Sequence, residues 1–329
     1  MNKRQAAFLV AKMLFAVAVL GFLLHKVDAA RVWNSARGAN RACVGAGILL
    51  CLATVFISGW RWHRLLAVLQ IKIPVLPLVC VVQIGQFFLM FLPGPVGDDL
   101  TRMLYISRLA KGRAGEACST VVLDRVLGLA SVFALAVLCV PWQWRLLAAS
   151  YQTYWLAVGM LAVGFTVCVC GILFLIAGHP THRWFEHRLR SFPAFDFRDE
   201  LATIWGLFCL NKRCIVQVVA AACVTQLLLC ILFYLAGAAV GIRMPLTVWL
   251  SFVPVVLAAN AVPITLAGLG VREYLLVLFL GVLGNIGAER ALAASFVAFS
   301  MMFAVCLFGG VVYILYRPKQ SGPSVEGRE

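Results

Sequence analysis

The stretch 92–105 places charged side chains directly behind a break in otherwise apolar sequence. It reads LPGPVGDDLTRMLY and contributes Asp98, Asp99 and Arg102. Proline lacks the amide hydrogen and glycine adopts backbone angles that other residues avoid, so we predict that one helix ends and another begins at Pro93, Gly94, Pro95 and Gly97. Arginine binds phosphate through two parallel hydrogen bonds, and carboxylates hold an ammonium group or take up a proton. We therefore predict a site for a charged group at this break.

A second stretch of similar composition, 262–273, reads VPITLAGLGVRE. Arg272 and Glu273 follow its helix break, which we predict at Pro263, Gly268 and Gly270. Asn260 and Thr265 lie beside this break, where irregular backbone needs polar partners because lipid offers none. Paired broken segments in the two halves of a membrane protein indicate a transport site between them. We therefore predict that these four polar residues line the same site as the first break.

Asp124 and Arg125 lie inside an apolar segment, where each ionisable group costs about 3 kcal/mol and needs a partner. We include both in the predicted substrate-binding site. Arg102 and Arg272 are its expected phosphate ligands, and its carboxylates are expected to balance charge or carry protons. An alternative remains open, in which these charges pair with one another and only hold helices together, as buried ion pairs often do.

The composition predicts an all-α, polytopic helical membrane protein. Of the 329 residues, 63% are hydrophobic and 12% are charged, and the mean hydropathy is +0.96. The net charge of +15 comes from basic residues in short loops, where they orient the chain and contact lipid headgroups rather than nucleic acid. The 12 cysteines lack paired ligand spacing, so we expect no metal site. The sequence shows no phosphate-binding glycine loop or zinc-protease signature, and we expect no cofactor.

The apolar runs divide into about six full crossings and two broken segments. We predict full crossings at 6–24, 42–60, 117–140, 154–177, 214–240 and 291–316. We predict two re-entrant hairpins, at 74–92 with 100–109 and at 247–262 with 271–283. The cluster 61–64 reads as an aromatic and basic anchor at the membrane interface. Residues 1–316 then form a single transmembrane domain, and a flexible polar tail follows at 317–329.

The distribution of lysine and arginine predicts a multi-pass protein of the cell (inner) membrane with cytoplasmic N- and C-termini. In that orientation about 19 of the 28 basic residues fall on the cytoplasmic side. The first hairpin then enters from the cytoplasmic face and the second from the outer face. The units 42–140 and 214–316 therefore have opposite orientations, which is the inverted-repeat plan of secondary transporters.

At these motifs the chain resembles the transmembrane region of the lysylphosphatidylglycerol synthases, a family also described as flippase-like. Its members typically show a proline and glycine break followed by an acidic residue and arginine, then an acid–arginine pair, here Asp124 and Arg125. They also show a late Pro-x-x-x-x-Gly-x-Gly-x-Arg-Glu motif, matched here from Pro263 to Glu273. The resemblance spans nearly the whole chain. The family often has glutamate where Asp98 or Asp99 and Asp124 stand.

This resemblance implies the lipid-translocating part of such a synthase, because the chain has no segment resembling the soluble aminoacyl-transferase domain. The first hypothesis is therefore a lipid flippase without enzymatic activity. Its substrate would be an anionic or aminoacylated phospholipid, or a polyprenyl-linked lipid, whose headgroup crosses the membrane between the two breaks. A separate lipid synthase and a second copy of the chain are further candidate partners.

Two alternatives remain open from the sequence. One is an integral-membrane enzyme that acts on a lipid-linked substrate, with Asp98 and Asp99 as metal ligands or general bases. The other is a non-catalytic membrane partner that positions a separately encoded synthase. A chemically altered lipid product that depends on divalent metal would favour the enzyme, whereas co-purification with a synthase would favour the partner.

Overall fold

The computed structural model describes residues 37–89, 96–110, 112–148, 150–177, 211–261 and 270–316. Within these ranges the chain forms helices and no strands, so the predicted all-α class is confirmed. The helices are α1 (Arg41–Val68), α2 (Val75–Leu89), α3 (Val96–Leu109), α4 (Ala114–Cys139), α5 (Trp144–Leu147), α6 (Tyr151–Ala177), α7 (Lys212–Ala239), α8 (Leu246–Ala261), α9 (Val271–Gly284) and α10 (Ala288–Leu315). A 3₁₀ turn, Val140–Gln143, joins α4 to α5.

Five of the described helices are long and apolar enough to cross a membrane: α1, α4, α6, α7 and α10. They coincide with five of the six predicted crossings, and each helix boundary lies within a few residues of its predicted place except at the end of α1. The sixth predicted crossing, 6–24, and the predicted tail, 317–329, lie outside the described residues. The protein is therefore a polytopic helical membrane protein.

Four shorter helices, α2, α3, α8 and α9, occupy the two predicted broken segments. They contain 15, 14, 16 and 14 residues. At 1.5 Å per residue they are about 21–24 Å long, which is less than the roughly 30 Å thickness of a bilayer hydrocarbon core. Within each segment the two short helices pack against each other, α2 on α3 and α8 on α9. Both segments therefore have the paired short helices that a broken hairpin requires.

Helix packing follows one pattern in both halves of the chain. Each half contains a long helix, two short helices and a second long helix, namely α1–α4 and α7–α10. The two first helices, α1 and α7, pack against each other. Across the halves α2 packs on α10 as α8 packs on α4, and α1 packs on α10 as α7 packs on α4. Each of these helix contacts in one half therefore has a counterpart in the other half.

Helix α1 extends beyond its predicted end and corrects the interpretation of residues 61–64 as an interfacial anchor. Asn40 caps its N-terminus by accepting a hydrogen bond from the Ala42 amide at 2.9 Å. The helix then continues to Val68, with Arg61 only 7% exposed and Trp62 fully buried. The anchor interpretation is wrong for these two residues because Arg61 finds a carboxylate partner inside the protein.

Close contact between α2 and α10 depends on a glycine in α10. A Cβ atom built at Gly309 would overlap the backbone carbonyl of Gln83 and press on Phe87. We expect Gly309→Ala to lower the free energy of unfolding by about 1–3 kcal/mol, because overpacking displaces one helix from the other. Thermal unfolding in detergent micelles measures this loss.

Gly159 of α6 provides the matched control, because a Cβ atom there meets nothing within 4 Å. We expect Gly159→Ala to leave stability unchanged or to raise it by roughly 0.5–1 kcal/mol through helix propensity. Equal effects of the two substitutions would contradict the close approach of α2 and α10.

Candidate functional site

Four charged side chains form a buried cluster, here called the first cluster, where α1, α3 and α4 meet. Arg61 donates to both carboxylate oxygens of Asp124, from Nε at 2.5 Å and from Nη2 at 2.8 Å. Arg102 donates from Nε to Asp98 at 2.8 Å and from Nη1 to Asp124 at 3.3 Å. All four residues are less than 10% exposed. Two guanidinium groups and two carboxylates give the first cluster a net charge of zero.

Neighbouring side chains hold the first cluster in place. The ring of Trp62 lies 5.9 Å from the Arg102 guanidinium carbon, a cation–π distance, and its Nε1 donates to Thr120 at 2.9 Å. On α2, a Cβ atom at Gly85 would overlap the Asp98 carboxylate, so the glycine leaves room for that side chain. Helices α1, α2, α3 and α4 therefore all define the position of Asp98 and Arg102.

A separate ion pair lies at the edge of the first cluster. Arg125 donates to Asp99 from Nη2 at 2.9 Å and from Nε at 3.2 Å. The two side chains are 39% and 27% exposed, so solvent or lipid headgroups reach this pair more easily than the buried cluster. Asp98 and Asp99 are consecutive but pair with different arginines, because successive side chains of a helix point about 100° apart.

The second break carries its own buried group, here called the second cluster. Arg272 donates to Glu273 through Nε and Nη2, and Ser295 of α10 donates to the same carboxylate oxygen at 2.9 Å. The other oxygen accepts the Gly270 amide at 2.6 Å, which caps the start of α9. Gly270 has φ of 91°, a left-handed angle that favours glycine. The ring of Phe299 lies 5.2 Å from the Arg272 guanidinium carbon.

The two clusters occupy corresponding places in the two halves. Asp98 is the third residue of α3, and Glu273 is the third residue of α9. Helix α10 contacts both regions, because Ser295 donates to Glu273 in the second cluster, and the Val305 backbone lies beside α2, whose Gly85 packs against Asp98. Ser295 and Val305 are about three turns, or roughly 15 Å, apart along the helix. Near the first cluster, Gln83 of α2 donates to the Val305 carbonyl of α10 at 2.5 Å.

The structure brings most of the predicted charged residues together in the pairs that one open alternative described. Asp98, Arg102 and Asp124 share the first cluster, Asp99 pairs with Arg125, and Arg272 pairs with Glu273. Sequence reasoning missed Arg61 and Ser295. The sequence pattern places Arg61 at the membrane edge, but Asp124 needs a further buried cation, because Arg102 and Arg125 also pair with Asp98 and Asp99. Ser295 carries no sequence signal beyond its place in an apolar helix.

The remaining predicted residues lie at or beyond the limits of the described chain. Asn260 sits at the end of α8, and its side-chain oxygen is buried without a hydrogen-bond partner among the described residues. Gly97 is buried in the first turn of α3, where its carbonyl accepts a hydrogen bond from Thr101 at 2.7 Å. The other predicted positions lie outside the described residues: Pro93, Gly94, Pro95, Pro263, Thr265 and Gly268.

Asp98 and Asp99, the metal ligands of the enzyme alternative, each bind a guanidinium group instead. Across the described ranges, three or more histidine, cysteine or acidic side chains never converge as a metal ion would require. The charged groups of both clusters are arginine–carboxylate pairs.

Helices that cross a membrane, two short-helix pairs and buried charge clusters at their starts define an integral membrane protein with a polar interior. The chain belongs to the family described as the lysylphosphatidylglycerol synthase TM region, whose model matches residues 9–310. This confirms the family suggested by the sequence motifs. The family places the chain among membrane proteins of lipid metabolism or transport. A comparison with curated proteins finds no significant match.

Proposed function

We propose that the protein is a lipid flippase, which moves the charged headgroup of an anionic, aminoacylated or polyprenyl-linked lipid across the membrane while its tails stay in the bilayer. One observation carries this proposal. A buried arginine lies in the first two turns of a short helix behind each break, and each arginine is paired with a carboxylate. Placing arginine in an apolar interior is costly, so two such residues at corresponding places support a functional role.

Partner exchange at these arginines provides a route for a headgroup. A lipid phosphate competes with Asp98 for Arg102, and with Glu273 for Arg272, because both anions fit the guanidinium fork. The displaced carboxylate then needs a cation or a proton. A headgroup with both a phosphate and an ammonium group supplies both partners, so it enters a neutral cluster without leaving a buried charge unpaired. This balance favours an aminoacylated phospholipid among the candidate substrates.

The helix starts support the same substrate chemistry. Asp98, Asp99 and Glu273 lie in the first turns of α3 and α9, where the positive end of the helix dipole stabilises negative charge. A lipid phosphate that replaces a carboxylate would gain the same stabilisation. We propose that Asp124 and Arg125 complete the site, and that Asn260, whose side-chain oxygen has no hydrogen-bond partner in the described part of the chain, lines the route beside the second break.

The matching helix contacts of the two halves support an inverted repeat, with units 42–140 and 214–316 in opposite orientations. We extend the proposal to the cell (inner) membrane, with both termini cytoplasmic. The lipid headgroup would bind at one cluster and then at the other as it crosses. Translocation then needs no chemical step, and the protein acts as a transporter rather than an enzyme. A separate lipid synthase is its proposed supplier.

Translocation in liposomes tests the proposal. Removing one member of a buried pair risks unfolding, so the variants neutralise both members: Asp98→Asn with Arg102→Gln, and Glu273→Gln with Arg272→Gln. We expect both to stay monodisperse in detergent and to lower the translocation rate of alanyl-phosphatidylglycerol, which carries one phosphate and one ammonium group, at least about tenfold, because each removes charge-assisted hydrogen bonds to phosphate.

The control is Arg145→Ala, which removes an exposed arginine of α5. It should translocate lipid at the wild-type rate. Wild-type rates in both neutralised variants would overturn the site assignment, and no translocation by the wild-type protein with any of the three lipid classes would overturn the function.

A further inference from the structure

Two short loops repeat the same structure in the two halves of the chain. The loop 69–74, between α1 and α2, reads LQIKIP, and the loop 240–245, between α7 and α8, reads VGIRMP. In both, the second residue has positive φ, 60° at Gln70 and 80° at Gly241. The next amide closes the helix end in the same way, from Ile71 to Leu66 at 3.0 Å and from Ile242 to Gly237 at 2.9 Å.

The two loops also alternate in the same way between the interior and the surface. Ile71 and Ile73 are buried on either side of exposed Lys72. Ile242 and Met244 are likewise buried on either side of exposed Arg243. Packing explains the apolar residues but not the cation, because an exposed side chain between two buried ones fills no space in the core. A long cation at the same exposed position of both loops therefore indicates an anionic partner.

Each loop forms one wall of an open groove, of about 370 Å³ in the first half and about 490 Å³ in the second. The seven residues that line the first groove correspond one by one to the seven that line the second. His63 corresponds to Tyr234, and Lys72 to Arg243. Each groove therefore combines one cation, one polar ring and apolar walls.

The first groove shows how its ring is oriented. Nδ1 of His63 lies 2.8 Å from the Ile73 carbonyl. A carbonyl only accepts hydrogen bonds, so Nδ1 carries the proton and Nε2 is the remaining polar atom of the ring. Leu76, in the first turn of α2 next to the same loop, is 69% exposed. Charge beside exposed apolar surface in a membrane protein suits an amphiphile, whose phosphate contacts the cation and whose chain lies along the helix.

We infer that each groove binds the phosphate of an anionic phospholipid, held by Lys72 in the first half and by Arg243 in the second. This lipid site is separate from the buried clusters and does not depend on translocation. Only the placement of the grooves on opposite sides of the membrane rests on the proposed inverted repeat. In that arrangement, one groove would hold lipid in each leaflet, beside the short-helix pair of its own half.

Native mass spectrometry of the full chain in a nonionic detergent tests this inference, with phosphatidylglycerol as the probe and phosphatidylcholine as the zwitterionic comparison. We expect phosphatidylglycerol to bind more tightly than phosphatidylcholine. Lys72→Ala and Arg243→Ala should each weaken one binding step about fivefold, and the double variant should weaken two. The exposed cations Arg145 and Lys212 provide a matched double-alanine control that should bind like the wild type.

Three results would overturn the inference: wild-type binding by the Lys72→Ala, Arg243→Ala variant, an equal loss in the control, or displacement of the lipid by an equal concentration of glycerol 3-phosphate. Because this measurement reports binding alone, a failure of translocation in liposomes would contradict the proposed function without affecting this result.

Discussion

Replacing Asp124 with alanine is expected to destabilise the protein by about 3–5 kcal/mol, because it leaves a buried arginine without its carboxylate. Asp124 accepts both hydrogen bonds of Arg61 and a third from Arg102. Arg102 keeps Asp98, whereas Arg61 loses the only ion-pair partner that the described residues give it. The measurement is the thermal unfolding midpoint in detergent, followed by the fraction of monodisperse protein after purification.

A second substitution separates loss of charge balance from loss of packing. Asp124→Ala combined with Arg61→Met removes the whole pair, and we expect it to recover most of the stability lost in Asp124→Ala. The control Asp99→Ala breaks a pair that is 39% and 27% exposed, so it should cost at most about 1 kcal/mol. If the double variant unfolds more easily than Asp124→Ala, charge compensation is not what stabilises the first cluster.

The second large effect is expected at Glu273, which is fully buried. Its two oxygens accept hydrogen bonds from Gly270, Arg272 and Ser295. Glu273→Ala removes the cap of α9 and leaves Arg272 buried and unpaired, and we expect a loss of about 3–5 kcal/mol in the free energy of unfolding. Unfolding in detergent measures it, with the exposed pair of Arg113 and Glu116 as the reference through Glu116→Ala.

Two further variants at Glu273 distinguish the cap from the charge. Glu273→Gln keeps an oxygen for the Gly270 amide but not the charge, so it should be more stable than Glu273→Ala by about 1 kcal/mol, the usual worth of a helix cap. Adding Arg272→Gln to Glu273→Gln should restore stability further, because no buried charge then remains unpaired. Equal stability of Glu273→Ala and the wild type would exclude the second cluster as a structural element.

Most helices were predictable from the sequence, because long apolar runs and proline and glycine breaks are strong local signals. The partners of the buried charges were only partly predictable. Asp98 and Arg102 are one helical turn apart, so their contact follows from spacing alone. Arg61 lies 63 positions from Asp124, and hydropathy cannot distinguish a cation at the membrane edge from one paired in the interior. Only the packing of α1 against α4 decides between them.

The repeated loops show a different limit of sequence reasoning. The strings LQIKIP and VGIRMP share only isoleucine and proline, and three of the other four positions match in size or charge rather than identity, whereas Gln70 and Gly241 match in neither. Their common backbone angles and buried residues reveal the relation. Gln70 adopts a positive φ that glycine usually supplies, so composition alone hides the turn in the first half.

The contacts of α10 also bear on the order in which the protein is made. Helix α10 is the last described helix, so it leaves the ribosome after the residues to which it hydrogen-bonds, including Gln83 of α2 and Glu273 of α9. Until it inserts, Gln83 and Glu273 lack the hydrogen-bond partners that α10 gives them, and lipid supplies no substitute. The nascent chain must therefore keep these two polar groups out of contact with lipid until α10 has been synthesised.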